Sequence, residues 1–368
     1  MKNRHEILIY YFAFPHYRAA VLNELKSQMG DKLDLYSGSQ SRSGLKPLNS
    51  QTFQDLNVVP TVRMGPFTWE KRIVCPAISK KYAAVVLGPA ISSISTWVIL
   101  IARWALRRKT YLWGQCGKPG DRSPKRFAQE IMNRLASGLL VYGNIEVAGA
   151  SEFGLSANKI FKVRNSVPLV PKPLSAERLE AKLESRLSEV SDTKALKLVY
   201  AGRVNADKRL DILLAAGEIL KLKYQNLTIR IIGDGPDKQI LREQYPDDRY
   251  EFLGATYDRE VLQRELESAT FVVSPSTMGL LALDALSVGT PVMIPNNPRN
   301  GSEVEALNVG VNGFYFNYED AKSLANQVEA SLKLLANVDH RRYFESRNSG
   351  IHDWTAAAVA SKILDVIG

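Results

Sequence analysis

The sequence predicts an α/β protein of two doubly wound parallel-sheet domains, and three observations carry that expectation. The chain has 368 residues, a length that ordinarily divides into two domains. Short apolar runs alternate with longer amphipathic or polar stretches, and many runs are near-continuous Val, Ile, Leu and Tyr, as in strands buried on both faces. Between the halves, three prolines from Pro168 to Pro173 interrupt regular structure.

In order, the strand candidates of the first half are EILIYYF from Glu6, KLDLYS from Lys32, AAVVLG from Ala83, KTYLWG from Lys109, SGLLVYG from Ser137 and KIFKVRN from Lys159. The second half repeats the habit with LKLVYAG from Leu196, LTIRIIG from Leu227, YEFLG from Tyr250, TFVVSPS from Thr270, TPVMIP from Thr290 and GFYFN from Gly313. Strands alternating with helical stretches argue for doubly wound units. The expected division is a first domain at 1–168 and a second at 169–345, with a linker near Val167–Pro173. Residues 346–368, ending in WTAAAVASKILDVIG, are expected to pack back toward the first domain as an amphipathic helix. Two such domains would face each other across a cleft, with ligands beyond the carboxyl ends of the strands.

Composition narrows the function. The chain is 45% hydrophobic and 23% charged, ordinary for a globular protein. Cys75 and Cys116 lack CxxC spacing, so neither a zinc site nor a disulfide framework is expected, and a reducing, cytoplasmic setting fits. The first strand lacks a GxGxxG turn, which disfavours a nicotinamide-dependent dehydrogenase or epimerase. A net charge of +10 favours anionic partners. Nucleic acid is not expected, because zinc-finger spacing, an RNP-type aromatic motif and a clear helix-turn-helix are all missing. No signal peptide is read at the start, and Ala90–Leu106 is too short and too rich in Ser to span a bilayer.

Three strand ends of the second half carry candidate chemistry. In LVYAGRVNADKRLDILLAA, Gly202 permits a tight turn, and Arg203 and Lys208 bring positive charge to a helix start, with Asn205 or Asp207 available as its cap. Cations oppose the macrodipole there, so a bound diphosphate is one explanation and a solvated basic turn the other. In IIGDGP, Gly233 and Gly235 make a turn before a helix, a common arrangement. In SPSTMGLLALDALSVGTPV, a small-residue loop feeds a helix that contains one carboxylate, Asp284.

In this order and spacing the three pieces resemble the donor domain of the family 4 glycosyltransferases of GT-B fold, in a bacterial polysaccharide or lipopolysaccharide-type branch. The stretches GSEVEALNVGVNGFYF, IFKVRNSV, FPHYRAAVLNEL, YAAVVLG and LWGQCG resemble the family as well. The resemblance implies two Rossmann-like domains and transfer, with retention, of a sugar from a UDP- or GDP-sugar. The acceptor would be a glycan or lipid-linked saccharide in surface polysaccharide assembly. It implies catalytic roles for Arg203 and Lys208 on the diphosphate, and donor contacts from Gly202, Gly233, Met278, Gly279, Leu280 and Leu281. Asp284 would accept hydrogen bonds from the ribose diol. The sequence departs from the family where PSTM holds no acid, where Asp stands for Glu at 284, and where Gln115 stands for a frequent His. Those departures leave a catalytically silent sugar-nucleotide binder as the alternative.

The chain has no DxD triplet, so no metal or other cofactor is expected, the cations neutralising the phosphates instead. On the acceptor side, His16, Arg18 and Gln115 are the candidates. Arg18 would meet an acceptor phosphate or pair with a carboxylate of its own domain. FTWEKRIV and WVILIARWALRRK combine aromatic and basic residues; burial explains the second, and docking on an anionic membrane at its inner, cytoplasmic face is the alternative.

Overall fold

A computed structural model describes residues 6–39, 48, 53–120, 123–166, 175–256 and 258–368. The expected linker at Val167–Pro173 lies outside the described residues. The chain divides into two compact units, 1–168 with 355–368, and 169–354.

The first unit is built on seven parallel strands: β1 (Ile7–Tyr11), β2 (Leu33–Gly38), β3 (Leu56–Val59), β6 (Ala84–Leu87), β7 (Lys109–Trp113), β8 (Gly138–Val141) and β9 (Ile160–Lys162). Their order is β3-β2-β1-β6-β7-β8-β9, and a separate antiparallel hairpin joins β4 (Thr61–Met64) to β5 (Phe67–Glu70). The continuous apolar runs follow from burial on two sides. Ile7, Ile9 and Tyr11 of β1 point into one core, Leu8 and Tyr10 into another. Helices α1 (Ala19–Met29), α2 (Val74–Ala77), α3 (Ile94–Ala105), α4 (Pro124–Leu135) and α5 (Asn144–Glu152) cover the faces.

The second unit starts with α6 (Ala176–Thr193), whose Leu179, Leu183, Arg186 and Val190 recur at helical spacing and are buried, and whose Ser175 accepts the cap bond from the Arg178 N–H. Six parallel strands follow: β10 (Ala195–Ala201), β11 (Asn226–Ile232), β12 (Tyr250–Gly254), β13 (Phe271–Val273), β14 (Val292–Asn296) and β15 (Gly313–Asn317), ordered β12-β11-β10-β13-β14-β15. Helices α7 (Leu210–Leu220), α8 (Lys238–Gln244), α9 (Arg259–Ser268), α10 (Leu281–Ser287), α11 (Ala321–Leu335) and α12 (His340–His352) complete it. Residues 346–354 remain in this unit. The last helix, α13 (Ala356–Ile367), belongs to the first, where Val359, Ala360, Ile363, Leu364 and Ile367 enter the core shared by β1 and α1. Both sheets are doubly wound, with the strand order reversing between β1 and β6 in one and between β10 and β13 in the other.

Among the described residues no helix is long and apolar enough to cross a membrane. Helix α3 is not sheathed on all sides. Ser95, Thr96, Ile99, Leu100 and Arg103 face inward, while Val98, Ile101, Trp104 and the following Leu106 are exposed.

Candidate functional site

In the second unit the reversal point lies between the loops that leave β10 and β13, where open α/β sheets bind ligands. The β10 loop is shaped by backbone contact. Gly202 donates its N–H to the Ile232 carbonyl at 2.9 Å, and the Tyr200 hydroxyl donates to the Arg203 carbonyl at 2.8 Å. Val204, fully buried, donates to the Asp234 carbonyl at 3.0 Å and accepts from the Asp237 N–H at 3.2 Å. A Cβ on Gly233, at φ +152°, would overlap the Gly202 carbonyl oxygen, and one on Gly235 would overlap that of Val204. The glycines of IIGDGP therefore exist so that two strand-end loops can lie backbone against backbone.

That contact holds up the cations. Arg203 is exposed. A 3-10 turn, Ala206–Lys208, follows, and Arg209 adopts a left-handed φ of +48° before α7 begins. Neither Asn205 nor Asp207 supplies the side-chain cap the sequence offered. The Asn205 Oδ1 is instead buried without a hydrogen-bond donor among the described residues. Arg209 pairs with Asp211 at 2.9 Å and with Glu319, which explains it structurally. Lys208 is different. Its Nζ crosses the reversal point to donate to Thr277 Oγ1 at 3.2 Å. Its pKa lies below that of an ordinary lysine, first because of burial and then because Arg203 repels it, with Asp207 opposing. Arg203 and Lys208 thus place two mutually repelling cations at one strand end.

The β13 loop is fixed by asparagines. Asn300 Oδ1 accepts the Met278 N–H at 2.9 Å, Asn297 Nδ2 donates to the Ser276 carbonyl at 3.0 Å, and the Gly301 N–H donates to the Met278 carbonyl at 2.7 Å. The Met278 N–H is thus committed within the protein. Gly279 and Leu280 lead into α10, which starts at Leu281. The Ala282 and Leu283 N–H groups donate to the Gly279 and Leu280 carbonyls at 2.9 and 3.0 Å, so among the described residues the helix-start donors left over are those of Gly279, Leu280 and Leu281. At seven residues α10 is short, so Arg203 and Lys208 are the stronger electrostatic feature.

Asp284 lies on α10 and is 8% exposed. Its carboxylate pairs with Arg259 Nη2 at 2.6 Å and Nη1 at 3.5 Å. Burial raises its pKa, with Arg259 pulling it back. A ribose diol would have to share that carboxylate with Arg259, a partner the sequence reading did not foresee. Glu303, which stands in none of the three strand-end motifs, reaches the β13 loop. This residue is 6% exposed on the 3-10 turn Ser302–Ala306, with Oε2 directly beside Gly301 and about 4.0 Å from where a Gly279 Cβ would stand. An acid absent from PSTM is thus supplied to the same loop by a later segment. The two acids in GSEVEAL were its only trace in the sequence.

In the first unit the candidates gather at the other reversal point. The turn His16–Arg18 follows β1, and Gln115 follows β7. His16 and Gln115 are exposed. Arg18 is 2% exposed, lying over Trp113 at 3.9 Å and Tyr11 at 4.6 Å and donating from Nη2 to the Tyr142 hydroxyl. Burial works against its charge, and the facing oxygens of Tyr11, Tyr142 and Tyr17 outweigh it. Arg18, Gln115 and residues around them line a cavity of about 310 Å³. Among the described residues the grouping of His and carboxylates at metal-ligand distance is Glu180, Glu184 and His340, which lies on α6 and α12 rather than at either set of strand ends.

Residues 195–334 match the Glycosyl transferases group 1 family. The sulfoquinovosyl transferase SQD2 of Arabidopsis thaliana is 28% identical over 149 residues, 40% of this chain and 28% of that relative's length. Two solved structures cover 98% of this chain and 99% of their own: HepE of Anabaena in complex with UDP, at 15% identity and TM-score 0.71, and the lipopolysaccharide outer core galactosyltransferase WaaB, at 13% and 0.69. At those identities the likeness establishes the fold. With the two doubly wound sheets and the order of the donor-side loops, these matches show a chain of GT-B fold whose second unit carries a Glycosyl transferases group 1 domain over residues 195–334.

Proposed function

We propose that the chain transfers a sugar, with retention, from a UDP- or GDP-sugar held by the second unit to a glycan or lipid-linked saccharide in cell-surface polysaccharide assembly. One observation carries the donor assignment: Arg203 and Lys208 converge at the reversal point, with Lys208 tied to the β13 loop through Thr277. Preorganised positive charge stabilises a departing diphosphate, often the largest catalytic effect available to such a site. Gly202 and Gly233 shape the loop, while Gly279, Leu280 and Leu281 add helix-start N–H groups. We assign to Glu303 the acid that PSTM lacks, at the transferred sugar. No metal is needed in this reading, since the cations neutralise the phosphates. HepE's complex with UDP and WaaB's outer-core activity are consistent with the donor and the pathway.

The acceptor side is assigned to the first unit through His16, Arg18 and Gln115. Support for an anionic membrane face comes from α3, where Val98, Ile101, Trp104 and Leu106 form an exposed apolar row ending in Arg107 and Lys109. Met64 and Phe67 of the adjoining hairpin are about half exposed as well. Apolar residues beside cations suit the boundary of an anionic bilayer, at the inner, cytoplasmic face.

A thermal-shift series with UDP, GDP, ADP and CMP, with and without EDTA, tests the donor site. A rise with UDP or GDP that survives EDTA, together with hydrolysis of the matching nucleotide sugar, supports the reading. Binding without hydrolysis or transfer leaves a silent binder, and absence of any shift removes the donor site.

A further inference from the structure

Among the described residues four arginines are buried, and three of them are satisfied by their own surroundings. Arg103 donates to the carbonyls of Ala77, Tyr82 and Lys109 and to Thr110 Oγ1. Arg186 donates to the carbonyls of Gly289 and Glu267 and to Thr290 Oγ1. Arg347 donates to the carbonyls of Leu286 and Ser287 and to Asn348 Oδ1. Arg18 is the exception. Its Nη2 meets the Tyr142 hydroxyl, while Nε and Nη1 are buried with no acceptor among the described residues.

Aromatic rings and tyrosine oxygens favour the charge, but the setting leaves the Nε and Nη1 hydrogens without acceptors among the described residues. Among the described residues lining the cavity there is no Asp or Glu, and the Arg18 guanidinium carbon lies 3.9 Å from the Trp113 ring centre and 4.6 Å from that of Tyr11. Buried cations are ordinarily paired, because desolvating an unpaired charge is costly. Arg18 instead forms part of the wall of a cavity whose other sides include Tyr11, Phe12, Pro15, Tyr17 and Gln115. The volume falls at the lower end of the roughly 300–1,000 Å³ of small-molecule sites. The cavity also sits where the first sheet reverses its strand order, the usual binding edge.

We propose that the Arg18 cavity is a subsite for an anionic oxygen group, a carboxylate or a phosphate, on the acceptor saccharide. A planar guanidinium matches either group with two parallel hydrogen bonds. The aromatic walls take the apolar face of a sugar ring, and the Gln115 amide stands at the exposed rim to bond a hydroxyl. Acceptors are therefore acidic: a uronic acid or a phosphorylated sugar, not a neutral glycan. Calling the bound group an acceptor rests on the transferase reading above; the anion site does not.

The test is calorimetric titration of the full chain with glucuronate, glucose 1-phosphate, methyl glucoside and, separately, UDP. One of the two anions should bind at least about tenfold more tightly than the neutral glycoside, and which one does so distinguishes carboxylate from phosphate. Arg18→Met should abolish that preference and leave UDP affinity unchanged. Gln115→Glu, a change at the exposed rim, should weaken the anion by at least about tenfold through like-charge repulsion. Equal affinity for anions and glycoside, or anion binding intact in Arg18→Met, overturns the proposal. A loss of UDP affinity alongside that of the anion would give the cavity to the donor's phosphates and overturn the acceptor assignment. If Arg18→Met does not fold, undiminished anion binding by Gln115→Glu refutes the site. A wild-type chain that binds the anion but no nucleotide would keep the anion site and remove the acceptor.

Discussion

Replacing Lys208 by Met separates a functional cation from a structural one. The methylene stem and its packing are nearly kept, and the ammonium is lost with its bond to Thr277. In the free protein that ammonium is a cost. Its pKa is lowered in the folded state, so the unfolded chain holds the proton more tightly; stability from this group is absent at neutral pH and returns only as pH climbs toward the ordinary lysine value. Lys208→Met should therefore leave the ligand-free melting temperature unchanged or higher. With nucleotide the sign reverses. A charge-assisted hydrogen bond contributes about 1.5–3 kcal/mol, so UDP affinity should fall roughly 10- to 150-fold. In a thermal-shift assay at about 100 times the wild-type Kd, the ligand stabilises by about 2.7 kcal/mol. A hundredfold weaker site at the same concentration retains about 0.4 kcal/mol. For a unit of this size that is a shift of about 5–11 °C reduced to about 1–2 °C. A variant that melts several degrees lower without ligand yet keeps the full UDP shift would refute the reasoning, because Lys208 would then be a packing residue.

Other outcomes follow from the same geometry. Gly233→Ala should destabilise the second unit by roughly 1–3 kcal/mol, read as a lower urea midpoint, since its Cβ would press on the Gly202 carbonyl at a φ that L-residues rarely adopt. Arg259→Met should cost about 1–2 kcal/mol at pH 7, a figure discounted from a fully buried pair because the arginine is half exposed. Asp284, already raised by burial, then titrates higher still. A carboxyl raised in the folded state gives full stability below its unfolded pKa and loses it as pH rises through the folded one. The deficit of Arg259→Met in urea titrations should therefore shrink as pH falls through that titration. Ile101→Glu with Trp104→Glu should lower sedimentation with phosphatidylglycerol vesicles while leaving UDP binding intact; equal sedimentation would remove α3 from the membrane face. Glu303→Gln should keep UDP binding and slow hydrolysis of the donor sugar by about tenfold or more.

Every strand read from the sequence is present; those buried at every position, such as β1, β6 and β8, must be apolar throughout and so announce themselves. The strands that went unread, β3, β4 and β5, are short or lie outside that regime. Asn57 and Val58 of β3 are exposed, and β4 is exposed over most of its length. Arg203, Lys208 and the glycines were visible as local patterns at strand ends. Glu303 and Arg259 were not, since each reaches its place from a different segment and no spacing connects them to residues 278–284. Arg18 was legible as a residue type in a loop. Its isolation became evident only when folding enclosed it among Tyr11, Trp113 and Tyr142. The gaps in exposure along α3 could not be read from so apolar a segment, because its hydrophobicity alone does not say which side a neighbour covers.

The return of α13 to the first unit has a consequence for how the protein is made. Translation delivers residues 169–354 as an uninterrupted stretch, so the second unit can close its core while synthesis is still under way. The first unit begins earlier and finishes later, since Val359, Ile363 and Ile367 are needed to cover the surface that α1 and β1 offer them. For the time it takes to synthesise nearly two hundred residues, Leu22, Leu25 and Ile9 wait on a half-built core. The early-born domain is the last to mature, and its exposed apolar face is where a nascent chain of this protein would most need a chaperone.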